Sequence, residues 1–152
     1  MLSLKILNSK EIKGILSIID YQWGCRKKLG YAFLMNGKGR IFVVSMDVGL
    51  VDFEKLRINS MGLYFGEIKG DDLRLSIEGS QIIGPLASKN LVDIDGREMS
   101  SWLRGNDLEK DCPGCSGFVI IRNDSDFLGC GRYSNGIIKN FVPKTRRISS
   151  SD

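Results

Sequence analysis

The last quarter of the chain constrains the fold most, because three strand-like segments follow one another there with short turns between them. Residues 116–122 centre on an apolar run, residues 123–126 form a polar turn, and residues 127–132 begin a second segment. A third segment at 137–142 leads into a basic tail. Apolar runs separated by Gly, Asn, Asp and Ser predict strands joined by tight turns. We therefore expect a small β-barrel with a cationic edge.

The positive charge of the chain is concentrated in this closing segment. Residues 127–151 contain five Lys or Arg and no Asp or Glu, while the whole chain has a net charge of +4, so the rest carries −1. Such an asymmetry indicates a surface that faces a polyanion. A solvated basic tail that binds nothing is the alternative. It is less favoured, because Ile137, Ile138, Phe141 and Val142 alternate with the cations and require a packed partner surface.

Composition indicates one or two small folded domains. The 152 residues are 42% hydrophobic with three prolines, which is enough to bury a sizeable core. No signal peptide and no apolar run of membrane-spanning length is visible, so we expect a cytoplasmic protein with no membrane partner. The four cysteines are then expected to be reduced thiols or metal ligands rather than a disulfide framework.

A helix is predicted near the start of the chain. Asn8 followed by Glu11 matches a capping box, and the helix should reach about Asp20. Its apolar stripe, which must lie on a sheet, consists of Ile12, Ile15, Leu16 and Ile19.

Turn residues organise the following segments into strands. Residues 31–35 and 41–45 are short apolar runs separated by the Asn- and Gly-containing turn at 36–40, which predicts a hairpin. A third strand is expected over 56–58 or onward to 65, and residues 69–76 give a turn and another short strand.

A second helix is predicted from Gly96 to about Arg104. Asp95 is a suitable N-cap with Glu98 three residues later, and Gly105 is a suitable C-terminal stop. Met99, Trp102 and Leu103 share one face of this helix. A role as a core aromatic is favoured for Trp102 over direct contact with a ligand.

Catalytic motifs are missing from the sequence. The chain has no histidine, which removes the commonest general base and metal ligand. Its Gly-x-Gly pairs lack the spacing of a phosphate-binding loop. Cys112 and Cys115 form a Cys-x-x-Cys, with Cys130 and Cys25 as conceivable further ligands, but a second Cys-x-x-Cys is absent and free thiols are favoured over zinc. We expect no enzyme activity, no cofactor and no metal.

The closing segment resembles the PUA-like RNA-binding domain at the C-terminus of the Fmu/RsmF branch of the Nol/Nop/Sun RNA cytosine methyltransferases. The matching positions of the closing motif are Ile138, Lys139, Asn140, Pro143, Lys144 and Arg147. The segment 62–69 is similar to a strand that precedes this domain in the family, so the resemblance covers roughly residues 55–147. It does not extend to catalysis, because Gly114 replaces the proline that precedes the cysteine in the family's Pro-Cys-Ser-Gly motif.

The resemblance implies an α+β protein. Residues 1–84 are expected to form a small N-terminal α/β (pre-PUA) domain. Residues 85–152 are expected to form a PUA-like mixed β-barrel with a packed helix.

The resemblance also implies a stand-alone, archaeal-like, non-catalytic RNA-binding protein of ribosome biogenesis or RNA modification. Its partner would be structured RNA, either rRNA or tRNA, and it would act beside a separate RNA methyltransferase or ribosome-assembly factor. The expected RNA-binding residues are Arg104, Gly105, Arg132, Lys139, Asn140, Lys144, Arg146 and Arg147. The alternative is a protein-interaction adaptor whose basic barrel edge binds an acidic protein partner.

Overall fold

Two five-stranded sheets form the framework of the structure, a computed structural model that describes residues 4–45 and 62–149. The first sheet is an antiparallel meander in the order β1-β2-β3-β4-β5. Its strands are β1 (Lys5–Ile6), β2 (Tyr31–Met35), β3 (Arg40–Ser45), β4 (Leu63–Lys69) and β5 (Asp72–Leu75).

The second sheet has the order β6-β8-β9-β10-β7 and is mixed, because β6 runs parallel to β8 while the other pairs are antiparallel. Its strands are β6 (Leu91–Asp93), β7 (Leu108–Glu109), β8 (Gly117–Asn123), β9 (Asp126–Ser134) and β10 (Ile137–Asn140). The α-helices are α1 (Ser9–Trp23), α2 (Ile77–Ile83) and α3 (Gly96–Leu103), and 3-10 turns occupy Gly84–Leu86 and Lys144–Arg146.

The predicted N-terminal helix is confirmed, but it continues three residues beyond Asp20. Asn8 Oδ1 accepts a hydrogen bond from the Glu11 amide at 2.9 Å, and the Glu11 carboxylate accepts one from the Asn8 amide at 3.1 Å. The extension is stable because Gln22 is buried and both polar atoms of its side chain are hydrogen-bonded. Its Nε2 donates to the Leu73 carbonyl at 2.9 Å, and its Oε1 accepts from the Leu73 amide at 2.7 Å. These bonds fix α1 to β5.

The predicted hairpin of β2 and β3 is also confirmed. Asn36 organises its turn, since the Asn36 side-chain oxygen accepts hydrogen bonds from the amides of Lys38 and Arg40. The strand expected over 56–58 lies outside the described residues, whereas its extension to 65 overlaps β4. The turn and short strand expected over 69–76 correspond to the end of β4 and to β5.

Helix α2 and strands β6 and β7 were not predicted from the sequence. The side chain of Ser76 caps α2 by accepting a hydrogen bond from the Gly79 amide at 2.9 Å. A Cβ at position 79 would overlap the carbonyl of Phe65, so glycine allows the helix to lie against β4. Packing against the sheet therefore stabilises a helix whose local propensity is weak.

Strand β8 separates two hydrophobic cores because its side chains alternate between the two faces of the second sheet. Phe118 and Ile120 belong to a first core that also contains Ile15 and Trp23 of α1 and Phe65 of β4. The first core thus joins residues from both sides of position 84. The division into domains 1–84 and 85–152 remains a prediction.

The second core lies between the other face of β8 and helix α3. Val119 and Ile121 pack there with Ile138 of β10 and with Trp102 of α3. The prediction of α3 is confirmed to within one residue, including its capping box at Asp95. Trp102 is fully buried, which confirms its prediction as a core aromatic.

The cysteines divide into two pairs. Cys25 and Cys130 are buried free thiols, and burial raises the pKa of Cys130 to about 12. Cys112 and Cys115 are joined by a disulfide, so the prediction of reduced thiols is wrong for this pair. Three residues of separation allow their Cα atoms to lie 5.5 Å apart, within disulfide range. Within the described ranges there is no group of three or more metal-ligating side chains, and no helix that is long and apolar enough to cross a membrane.

Candidate nucleic-acid interface

Two of the predicted cations lie side by side on the second sheet. Arg132 and Lys139 are cross-strand partners on β9 and β10, and Phe118 on β8 is the partner of Arg132 on the other side. Directly opposed residues share one face of a sheet, so the two cations project from the face that carries Phe118. The Arg132 guanidinium carbon lies 5.5 Å from the centre of the Phe118 ring. This contact supports the cationic side chain while leaving its donors at the surface.

The first sheet contributes a cation that the sequence did not reveal. Arg74 of β5 lies over the Phe141 ring with its guanidinium carbon 4.6 Å from the ring centre, and Lys139 Nζ lies 5.8 Å from the same centre. The rings of Phe141 and Phe118 are 6.2 Å apart. Arg74, Lys139 and Arg132 therefore surround a pair of neighbouring aromatic rings. Arg74 stands between buried Leu73 and Leu75, so the alternation along the strand predicts that its side chain faces away from the core. The sequence does not predict that Phe141 is its aromatic partner.

A cavity of about 290 Å³ opens beside this cluster, where β4 and β5 meet the closing segment. Its walls carry both charge signs, since Arg40, Arg74 and Arg146 face Glu67 and Glu78. Hydrogen bonds from Lys69 and then from Arg40 hold the pKa of Glu67 below its ordinary value. The carboxylates offset much of the positive charge in this cavity.

The basic tail is an ordered part of the fold. The Ile148 amide donates to the Leu103 carbonyl at 3.0 Å, and Arg147 Nε donates to the Val142 carbonyl at 2.9 Å. Gly105 has a φ of 94°, and a Cβ there would overlap the side chain of Arg147. Gly105 therefore ends α3 and also allows Arg147 to lie across the helix terminus.

Asn140 is placed in the interior. Its amide nitrogen donates to the carbonyls of Trp102 at 2.8 Å and Asn106 at 3.0 Å, while its Oδ1 accepts from the Val142 amide at 2.7 Å. The residue is 8% exposed. Both amide hydrogens are used within the protein, so we assign Asn140 to the support of the tail.

Arg146 and Arg104 are also constrained by the fold. Arg146 forms an ion pair with Glu78 of α2 at 2.9 Å, which partly offsets its charge. Arg104 is half-buried at the end of α3, and its Nε has no hydrogen-bond partner among the described residues. Both arginines are therefore weaker candidates for phosphate contact than the exposed, uncompensated cations.

The predicted site residues form two groups rather than one cluster. The first is the pair on the sheet face, and the second is the tail with the end of α3. Within residues 4–45 and 62–149, four exposed cations of the closing segment form no ion pair; they are Arg132, Lys139, Lys144 and Arg147.

The part of the chain that carries these cations is similar to a known protein domain. Residues 89–148 match the family described as the Methyltransferase RsmF PUA domain. The chain contains a PUA-like domain similar to the C-terminal region of RsmF. The mixed second sheet with α3 packed on it is compatible with that fold.

Curated relatives give the same result. The chain is 27% identical over 124 residues to a protein of Aeromonas hydrophila named ribosomal RNA small subunit methyltransferase F, covering 78% of this chain and 26% of the relative. Proteins of the same name from Vibrio cholerae and Aeromonas salmonicida are 24% and 26% identical over 90 residues, each covering 59% of this chain and 19% of the relative. The chain thus spans about a quarter or less of the length of these relatives.

The four uncompensated cations all lie within the PUA-like domain, as do Arg104, Gly105, Asn140 and Arg146. Arg74, which covers Phe141, lies outside the matched range. The surface around the aromatic pair is therefore built by the PUA-like domain and the preceding sheet together.

Proposed function

We propose that this chain is a non-catalytic RNA-binding protein that contacts RNA phosphates through its PUA-like domain. The observation that carries the proposal is the ordered presentation of four exposed cations without carboxylate partners among the described residues. Cations held in fixed positions on a folded surface are suited to a phosphate backbone.

The proposed partner is structured RNA, either rRNA or tRNA. The name of the curated relatives, ribosomal RNA small subunit methyltransferase, supports rRNA in particular. We further propose a role in ribosome biogenesis or RNA modification in the cytoplasm, beside a separate methyltransferase or assembly factor. A stand-alone, archaeal-like form of the protein remains a prediction.

The absence of catalysis is proposed from the chemistry of the chain. The sequence contains no histidine, and Cys115 of the Cys-x-x-Cys is engaged with Cys112. Calorimetric titration with S-adenosylmethionine should therefore give no measurable heat of binding. A micromolar dissociation constant for that cofactor would contradict this part of the proposal.

The salt dependence of RNA binding tests the phosphate contacts. With four contacts to single-stranded or irregular RNA, the log-log slope should be about −3, so a fourfold rise in salt should weaken binding roughly fiftyfold. The double variant Lys139→Ala/Lys144→Ala should flatten that slope by about 1.4 units. These two lysines suit the test because both are exposed and, among the described residues, neither forms an ion pair.

Fluorescence anisotropy with a labelled RNA can measure both slopes. The matched control is Lys38→Ala/Arg97→Ala, which removes the same charge from the β2–β3 turn and from the outer side of α3. An unchanged slope in the folded lysine variant would contradict the proposal. A saturable complex with one acidic protein, together with indifference to RNA, would favour the adaptor alternative.

A further inference from the structure

We propose that the RNA-binding surface continues from the PUA-like domain onto helix α1 and the segment after it, where a single-stranded part of the RNA stacks a base on Tyr21. This inference rests on the proposed function and extends it to residues outside the matched domain. It assigns RNA contact to the N-terminal part of the chain, for which the sequence analysis predicted none.

A cluster of cations follows α1. Lys13 on the helix lines the same open depression, about 310 Å³ in volume, as Arg26, Lys27 and Lys28. Asp20 is the acidic residue of this depression, and its Oδ2 lies 3.4 Å from Arg26 Nε. The Arg26 side chain is 88% exposed, so this ion pair is open to solvent. In the part of the chain that the structure describes, the three lysines form no ion pair. The depression therefore keeps a net positive charge.

The depression is continuous with the cations of the PUA-like domain. Ser17 lines it and also lines a second open depression, which Tyr21, Lys69 and Arg132 share. Arg132 belongs to the pair on β9 and β10 described above. A chain of phosphates can therefore pass from the segment after α1, along the exposed face of the helix, to the sheet. Asp71 and Asp72 also line the second depression and balance the charges of Lys69 and Arg132, so the net positive charge of the path lies in the first depression and on the sheet.

Tyr21 lies at the middle of this path with its ring exposed. It is 76% exposed and is the only aromatic residue among the exposed large hydrophobic side chains of the described ranges. Lys89 Nζ lies 5.5 Å from the centre of its ring. An exposed ring next to cations is the arrangement with which proteins stack the bases of single-stranded nucleic acid. This combination favours RNA over an acidic protein or an anionic membrane, which offer no base to stack.

The backbone that carries Tyr21 is firmly anchored. The next residue, Gln22, is fixed to β5 by the two buried bonds to Leu73, and its carbonyl accepts a hydrogen bond from Asn90 Nδ2 at 2.6 Å. The Ser88 amide donates to the Trp23 carbonyl at 2.8 Å. Residues 89 and 90 already belong to the matched range of the PUA-like domain. Tyr21 and the cations of the sheet are thus held at a fixed separation, which limits the entropy lost when one RNA contacts both.

The test compares single variants of the full chain in anisotropy titrations with a long single-stranded RNA. Tyr21→Ala should weaken binding at least about fivefold, because loss of one stacked base corresponds to a factor of about 5 to 150. Tyr21→Phe keeps the stacking face and should bind like the wild type. Contacts from Lys27 and Lys28 would add two phosphates to the four of the PUA-like domain and steepen the wild-type slope from about −3 to about −4. Lys27→Ala/Lys28→Ala should therefore flatten the slope by about 1.4 units and weaken binding about tenfold at physiological salt. All three positions are exposed, so thermal unfolding should be unaffected.

The outcomes separate this inference from the proposed function. If Tyr21→Ala and the Lys27/Lys28 variant bind RNA like Lys38→Ala/Arg97→Ala, while Lys139→Ala/Lys144→Ala binds weakly, the inference is wrong and the proposed function stands. If the wild-type chain does not bind RNA, both are wrong. A further outcome is that Lys27→Ala/Lys28→Ala leaves RNA binding unchanged and abolishes binding to anionic lipid vesicles. That result would assign this surface to a membrane and overturn the inference.

Discussion

Replacing Asn140 by alanine tests whether this residue supports the tail or contacts RNA. The substitution removes two hydrogen bonds to the carbonyls of Trp102 and Asn106, and it leaves the Val142 amide without its acceptor. Each bond contributes about 1 kcal/mol, and an unsatisfied buried amide adds to the loss. We therefore expect a decrease of about 3 kcal/mol in the free energy of unfolding, which lowers the thermal midpoint by about 6–12 °C in a protein of this size.

Differential scanning calorimetry gives the midpoint, and amide hydrogen exchange at Val142 reports the local loss directly. Asn140→Asp should destabilise the protein at least as much, because a carboxylate keeps the acceptor for Val142 but faces two carbonyl oxygens without donors. Asn106→Ala is the matched control. Its exposed side chain makes one 3.3 Å hydrogen bond to Ser101, so its effect should stay within about 0.5 kcal/mol.

The Asn140→Ala result also decides between two roles for the residue. A supporting role requires the loss of stability without RNA. An unchanged midpoint with reduced RNA affinity would refute the reasoning and would return Asn140 to the RNA-contact role first expected from the sequence.

Three further predictions follow from single sites. Gly105→Ala should lower stability by about 1–3 kcal/mol in chemical denaturation and weaken RNA binding, because it strains a positive φ and displaces Arg147; an unaltered denaturation midpoint would contradict this. Cys130 should not react with a thiol reagent at pH 8 in the folded protein, because it is buried and its pKa is raised to about 12, and rapid labelling without unfolding would show otherwise. The pKa of Glu67 is lowered in the fold, first by its hydrogen bond with Lys69. The ionised carboxylate therefore stabilises the folded protein at pH values above the ordinary pKa of 4.5, and this stability is lost as the pH falls through the lower folded-state pKa. Glu67→Gln should therefore show a smaller drop in thermal midpoint on acidification than the wild type, and parallel curves would count against the assignment.

The elements predicted correctly from the sequence are those with strong local signals. Asn8 and Asp95 each form a capping box with the glutamate three residues later, and the turn at 36–40 is organised by Asn36. These signals involve neighbours in sequence, so they are readable without the fold. Helix α2 was not predicted, because Gly79 lowers its propensity and contacts with β4 stabilise it.

The residues of the candidate site were only partly predictable from the sequence, since contacts between distant parts of the chain decide which of them reach the surface. The basic tail and its cations are visible in the sequence, but the interior position of Asn140 depends on Trp102, 38 residues earlier. The run of three cations at 26–28 is equally visible. The role proposed for it could not be read from the sequence, because only the fold places Tyr21 and Arg132 at one depression.

The central claim is that RNA binds the face of the PUA-like domain that carries Arg132 and Lys139. Amide chemical-shift mapping by NMR during titration with RNA tests it most directly. We predict the largest changes on β9, on β10 and in the turn at Lys144, with little change at Arg97 on the outer side of α3. Changes centred on α3 with none at Arg132 and Lys139 would contradict the account.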